Sequence, residues 1–434
     1  MGHSLRLTRS IHSETGAYTP VSFILLFSLC FFIIQSTAAI VFIPMDKTQK
    51  DHLRAYGVVY HAVRDGMKAE WALNYRGGSF IIFDDNATVK AQEFNITYSI
   101  ISDSDYETIK TVVDGENMNL VPLEKSARIA VYAPPIFNPW DDAVTIALDY
   151  AKIPYDRIWD VDVINGKVFN YDWVHLHHED FTGQFGKFLS YEDTAWYITQ
   201  KQRETEEAKA LGFKKVSEVK RKTAQTLRLF VEKGGFLFTM CSGTDTLDIA
   251  LACALSDIVP EEYDGDPIDP DFASKMTFTD TFAFTNFTLI TDPYVYEFST
   301  IDTPRTNRPD FVLQGYFKLF EFAAKIDTVP CLLNQNHEHV IKDFLGQTTA
   351  FTLETLKKDV TVLARYERWE EAKYIMAKRG KGFYVFFGGH DPEDFQHLIG
   401  DPPTDINLHR NSPGYRLILN NVLFPSAKKK ELKT

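Results

Sequence analysis

GGFLFTMCSGTDTLDIALACAL, residues 234–255, is the stretch on which the fold turns. Phe236 to Met240 is short and almost wholly apolar behind a glycine pair, the pattern of a strand buried on both faces. It runs straight into a helical pattern, with Leu247, Ala250, Leu251 and Cys253 on one face. Upstream, TAQTLRLFVEKGG (223–235) reads as a helix that ends at the glycine pair, which suits the left-handed position after a helix. Further upstream lie the strand candidates ARIAVYAPP (127–135), IWDVDVI (158–164) and YDWVHLHHED (171–180), with the helix DDAVTIALDYA (141–151) between the first two. Downstream, the alternation resumes with VTVLARYE (360–367), AKYIMAKRGKG (372–382) and the strand FYVFF (383–387), and SPGYRLILNNVLF (412–424) closes with a helix. Strands alternating with helices build a parallel sheet covered on both faces. The expected fold is α/β, doubly wound and mostly parallel.

Before this domain, IVFIPM (40–45), a helical stretch through Tyr56 and Val63, and AEWALNYRGGSFIIF (69–83) predict a small α/β module over residues 40–120, with a linker near Asp114-Gly115. The main domain spans 127–425, with insertions at about 187–222 and 256–359 and a basic tail at 426–434. The insertion from Ser256 to Asp359, acidic and rich in Pro and Phe, is expected to fold on the edge of the sheet. At the N-terminus, Val21 to Ile34 is apolar, preceded by Arg6 and Arg9 and followed by small residues through Ala39. It is too short to span a bilayer and fits a signal-peptide core, so residues 1–39 are expected to direct export and to be removed. An uncleaved anchor is the alternative, and it would be the chain's only link to a membrane.

Composition narrows the function classes. Of 434 residues, 44% are hydrophobic and 24% charged, as in a globular protein, and 46 Lys and Arg against 59 Asp and Glu leave a net charge of -13. That balance lacks the basic surface that nucleic-acid phosphates require. The four cysteines are too few for a disulfide scaffold and match no zinc spacing such as C-x2-C.

Three places carry side chains suited to chemistry. Cys241, at the strand-to-helix turn, projects past the carboxyl end of the sheet, where α/β ligands bind, and a helix N-terminus favours its thiolate. Gly243 permits the close backbone approach of a nucleophile elbow, while Thr239 stands where the elbow's first glycine belongs. His390 follows FYVFF after Gly388-Gly389, whose freedom lets the imidazole turn toward the same crevice, with Glu393 nearby as its orienter. His175 and His177 share one face of their strand, with His178, Glu179 and Asp180 at its end. Without a spacing such as HExxH this group reads as the polar lining of a crevice, and neither a metal nor another cofactor is expected. Arg76, in the Tyr75-Arg76-Gly77-Gly78 turn, offers a guanidinium beside turn amides and so is an anion-binding candidate.

The MCSG turn and GKGFYVFFGGHDPEDF, followed by GYRLILNNVLF, resemble the class I glutamine amidotransferase-like superfamily and most of all its trehalose-utilisation (ThuA-like) branch, over about two thirds of the chain. The resemblance implies a flavodoxin-like fold with Cys241 as nucleophile and His390 as base. The family's acid position falls on Pro392, one residue before Glu393, and ThuA-like proteins generally lack the nucleophile. IPMDKTQKDHLRAYGVVYHAV, LNYRGGSFII and NSPGYRLILNNVLFP resemble, over nearly the whole chain, exported Bacteroidota proteins labelled asparagine synthetase B. That implies a periplasmic or envelope location in a Gram-negative bacterium. No SGGxDS-type ATP loop occurs, so synthetase activity is not expected.

The expected function is therefore an exported protein that binds a small polar ligand, a carbohydrate or an amide, through Cys241, His390 and Glu393 with His177, Glu179, Gly243, Gly389 and Arg76. As an enzyme it would hydrolyse an amide through a Cys241 thioester. The alternative is a catalytically silent binding or envelope-assembly module.

Overall fold

The computed structural model describes residues 39–135, 141–302, 315–327, 329–333, 338–366, 370–394 and 399–429. The expected signal segment therefore lies outside the described residues, and so does most of the basic tail. Among the described residues no helix is long and apolar enough to cross a membrane.

The first strands are β1 (Ile40–Ile43), β2 (Ala69–Leu73), β3 (Ser79–Ile82), β4 (Ser99–Ile101) and β5 (Asn119–Leu123), which form an antiparallel sheet in the order β4-β1-β3-β2-β5. Arg76-Gly77-Gly78 is the turn of the β2–β3 hairpin, and β5 carries this sheet past the expected linker. Three helices accompany it: α1 (His52–Arg64), α2 (Asn86–Glu93) and α3 (Asp103–Gly115). Asp51 caps α1, and Ser102 with Asp105 forms a capping box on α3.

A larger sheet takes β6 (Ile129–Tyr132), β7 (Asp156–Ile158), β8 (Trp173–Leu176), β9 (Phe236–Met240), β10 (Tyr316–Leu319), β11 (Val340–Lys342), β12 (Phe351–Thr352), β13 (Thr361–Arg365), β14 (Glu371–Arg379) and β15 (Gly382–Phe387). Its order is β11-β10-β13-β14-β15-β9-β8-β6-β7, with β12 alongside β14. From β15 to β7 every pairing is parallel; from β11 to β15 every pairing is antiparallel. The sheet is thus mixed, where a mostly parallel one was expected. The cause is local: β14 and β15 are joined through Gly380-Lys381, and a two-residue connection can only make a hairpin. The long insertion supplies β10 and β11 to the sheet's end, and Phe282, Phe284 and Phe287 to one of its faces.

The helices of this part are α4 (Ala143–Tyr150), α5 (Asp160–Ile164), α6 (Ala195–Ala210), α7 (Val216–Glu232), α8 (Gly243–Ala252), the short turns α9 (Glu261–Asp264) and α10 (Phe272–Lys275), and α11 (Pro413–Leu423). IWDVDVI, expected as one strand, divides after Ile158, because the Asp162 carboxylate accepts the Trp159 N–H at 3.2 Å and starts α5. Side chains alternate across the strands into two cores. Val131, Trp173 and Phe238 meet α1, α4 and α11; Tyr132, Val174 and Leu237 meet α7 and α8. The small sheet joins the first core through α1, and buried Arg416 of α11 donates to Gly77 O at 2.8 Å. The described residues accordingly form one compact unit.

Candidate functional site

Because β15, β9 and β8 are parallel neighbours, the residues after Phe387, Met240 and Leu176 emerge side by side at one edge. Cys241 N donates to Gly389 O at 3.1 Å, Gly243 N to His177 O at 2.9 Å and Ser242 Oγ to His178 O at 2.9 Å. Gly389, at φ 84°, has no room for a side chain: a Cβ there would lie 2.1 Å from Phe344 O. Gly346 closes over the same point, since its Cβ would lie 2.7 Å from His390 Cβ and 3.4 Å from Cys241 Sγ.

The centre of this edge is histidine. The ring centroids of His177 and His178 lie 4.0 Å apart, those of His177 and His390 4.1 Å, and those of His178 and His390 3.9 Å. His177 and His390 are buried, and His178 is half-buried. Asp141 O lies 2.8 Å from His178 Nε2 and 2.9 Å from His390 Nε2, and these two nitrogens also contact each other. On the far side of His177, Nδ1 lies 3.1 Å from Asp142 Oδ1, and His175 Nε2 lies 3.6 Å from that oxygen. Asp142 is itself fixed as the cap of α4, accepting Val144 N at 2.8 Å and Thr145 N at 3.0 Å. Burial alone would raise the Asp142 pKa; His177 and His175 outweigh it and hold the carboxyl well below its ordinary value. Next to His390, burial pushes Asp391 up to about 6, although Glu393 N, Asp394 N and the Tyr415 hydroxyl all donate to it.

Cys241 sits beside this cluster in a strained conformation, φ 51°, at the strand-to-helix turn. Its thiol is buried. Burial pushes its pKa up to about 12, against the pull of the Ser242 and Gln347 backbone amides, so it is protonated at neutral pH.

The edge thus gathers Cys241, Gly243, His177, Gly389 and His390, and it leaves three other expected residues elsewhere. Glu393 is not set against His390; its carboxylate takes Lys342 Nζ at 3.1 Å and His409 Nδ1 at 3.3 Å. Glu179 turns toward Lys220, Glu204 and Asp160, and burial raises it to about 8. Arg76 is held by Asp46 at 2.7 Å and Thr48 at 3.1 Å. His178, expected at the end of its strand, completes the group, and Asp141, Asp142 and Asp391 join it beyond the expected site residues. The chain signal for Asp141 and Asp142 was their reading as a helix start.

Side chains able to hold a cation fall in four groups among the described residues: His177, His178 and His390; Asp142, His175 and His177; Asp141, His390 and Asp391; and Asp257, Asp264 and Asp266. Within each, the ligand atoms lie within 4.8 Å of one another. Three of the four share this edge.

No protein-family model matches the chain, and no curated protein does. Among solved structures it is similar to cytoplasmic protein STM3548 from Salmonella typhimurium, at 8% identity and TM-score 0.33, over 70% of this chain and 100% of that one. It is also similar to cytoplasmic protein STM1381 from Salmonella typhimurium LT2, at 10% identity and TM-score 0.34, over 69% of this chain and 100% of that one. Likenesses this distant carry no argument about function.

Proposed function

We propose that the protein binds a small polar ligand, an amide or a polyol, at the carboxyl edge of its large sheet, and that imidazoles rather than a thiolate do the binding. The observation that carries this is the convergence of His177, His178 and His390 from two strand ends on one point. Neutral imidazoles both donate and accept, so a cluster of them can read hydroxyl and amide groups, and open α/β sheets bind ligands at this edge. The parallel half of the sheet, with its turns at Cys241 and His390, supports a flavodoxin-like, amidotransferase-type framework. The apolar leader at Val21 to Ile34 supports export.

The second reading is amide hydrolysis through Cys241. What favours it is the positive φ of Cys241 at a strand–turn–helix junction, the backbone of a nucleophile elbow. The thiol's raised pKa weighs against it.

A thermal-shift screen of amides, amino acids and saccharides separates the two. A true ligand at about 100 times its Kd stabilises by about 2.7 kcal/mol, which moves Tm by several degrees. The shift should vanish in His178→Ala and His390→Ala and persist in Cys241→Ala. A shift lost only in Cys241→Ala would transfer the site to the thiol.

A further inference from the structure

We infer that His177, His178 and His390 bind a divalent transition-metal ion, zinc or a borderline-soft relative of it, with a position left open for an outside ligand. The inference rests on the reading above in that the ion and the polar ligand share one site.

A neutral imidazole has one N–H and one lone pair. At this edge His178 Nε2 and His390 Nε2 meet each other and the same carbonyl oxygen of Asp141, while His177 packs against both rings. In the tautomer protonated at Nδ1, both Nε2 lone pairs face inward beside the Asp141 carbonyl oxygen, and a positive charge among them suits all three acceptors. A divalent ion serves every one of them at once. Zinc holds nitrogens at about 2.0–2.1 Å, which sets neighbouring nitrogens roughly 3.3 Å apart in a tetrahedral shell. The ligand atoms of this trio already lie within 4.8 Å of one another.

A separate feature is the support behind the ligands. Metal-binding histidines characteristically give their other ring nitrogen to a carboxylate or carbonyl, which fixes the tautomer and aims the remaining lone pair at the ion. His177 carries such a carboxylate: Asp142 Oδ1 lies 3.1 Å from its Nδ1. Asp142 is locked in turn by the first turn of α4. Asp141 and Asp391 lie around His390 and supply the negative charge that offsets a dication held by three neutral ligands.

The donor set selects the ion. Imidazole nitrogen suits zinc, copper, nickel and iron, whereas magnesium and calcium take oxygen. Three protein ligands are also the number that leaves a coordination position open for water or substrate. The remaining acidic group shows what an internally satisfied cluster looks like. At Asp257, Asp264 and Asp266, Lys215 Nζ pairs with all three carboxylates and occupies the centre itself.

The test uses untagged full-length protein, stripped with a chelator and then titrated with zinc and cobalt(II), with bound metal measured by mass spectrometry after gel filtration. One ion per chain is expected. His178→Ala and His390→Ala should weaken binding at least 10-fold and Asp142→Asn about 10- to 100-fold, as for other residues behind a metal ligand. Cys241→Ala should leave it unchanged. His178→Gln, which keeps volume and polarity, covers the case in which an alanine variant does not fold. Folded wild type that retains no ion, or histidine variants that retain one per chain with unaltered affinity, would overturn the metal site. If metal binding fails while a polar ligand still binds through these histidines, only this inference falls. If neither binds, the site reading falls with it.

Discussion

On one face of the large sheet, Lys220 Nζ lies 2.8 Å from Asp160 and 3.6 Å from Glu204, all three side chains buried, and Tyr132 and Thr223 donate to Asp160 at 2.7 and 2.6 Å. At the sheet's carboxyl edge, His177, His178 and His390 press like groups against like. The lysine cluster neutralises itself. Burial would lower its ammonium, but Asp160, Glu204 and Glu179 more than offset that and raise its pKa. The histidine cluster instead brings three rings to one point, with the carboxylates of Asp141, Asp142 and Asp391 around it. Buried polarity that closes on itself holds a fold together; buried polarity that converges on a point waits for a ligand.

Removing one partner is the strongest way to break this contrast. Lys220→Met should destabilise by about 3–5 kcal/mol, because Asp160 and Glu204 are left buried without their cation. Urea unfolding should show that loss, with metal uptake unchanged in whatever fraction folds. A loss below about 1 kcal/mol would mean that the lysine cluster is not the closed unit described here.

His52 sharpens the contrast with a buried histidine set among uncharged partners. It is buried, with Nδ1 2.8 Å from Asn411 and Nε2 2.9 Å from Met45 O. Burial, aided by Arg416, holds its pKa at about 4 against the pull of these hydrogen bonds. The folded value is below the unfolded ~6.5, so the folded state binds fewer protons between the two. Its contribution is complete above pH 6.5 and is lost as pH falls toward 4, up to about 3 kcal/mol. Stability measured across pH 7 to 4 should fall less steeply in His52→Gln than in wild type; equal slopes would assign the acid sensitivity elsewhere.

The smallest effect is expected at Cys241. With its thiol raised to about 12, alkylation of native protein at pH 8 should leave Cys241 unlabelled until denaturant is added. Rapid labelling of the native thiol would restore the thiolate reading.

Much of the frame was legible in the chain. The strand at Phe236–Met240 with its following helix, the hairpin at Arg76-Gly77-Gly78 and the shared face of His175 and His177 all follow from local pattern. What local pattern could not show was adjacency. His178 and His390 meet across 212 residues because β8, β9 and β15 lie side by side, and pairing order is a property of the whole sheet. The antiparallel half had a local sign in Gly380-Lys381, which alternation alone overrode. Nearness in sequence suggests Glu393 as the partner of His390, yet the turn points it to Lys342 and His409, and Asp142, far away in the chain, lies beside His177.

The most direct measurement is X-ray absorption on the zinc-loaded full-length protein. Imidazole ligation predicts a shell of nitrogen and oxygen only, at about 2.0–2.1 Å, with the outer scattering of three histidine rings. A sulfur scatterer at about 2.3 Å would bring Cys241 to the ion and contradict the assignment of this site to histidine.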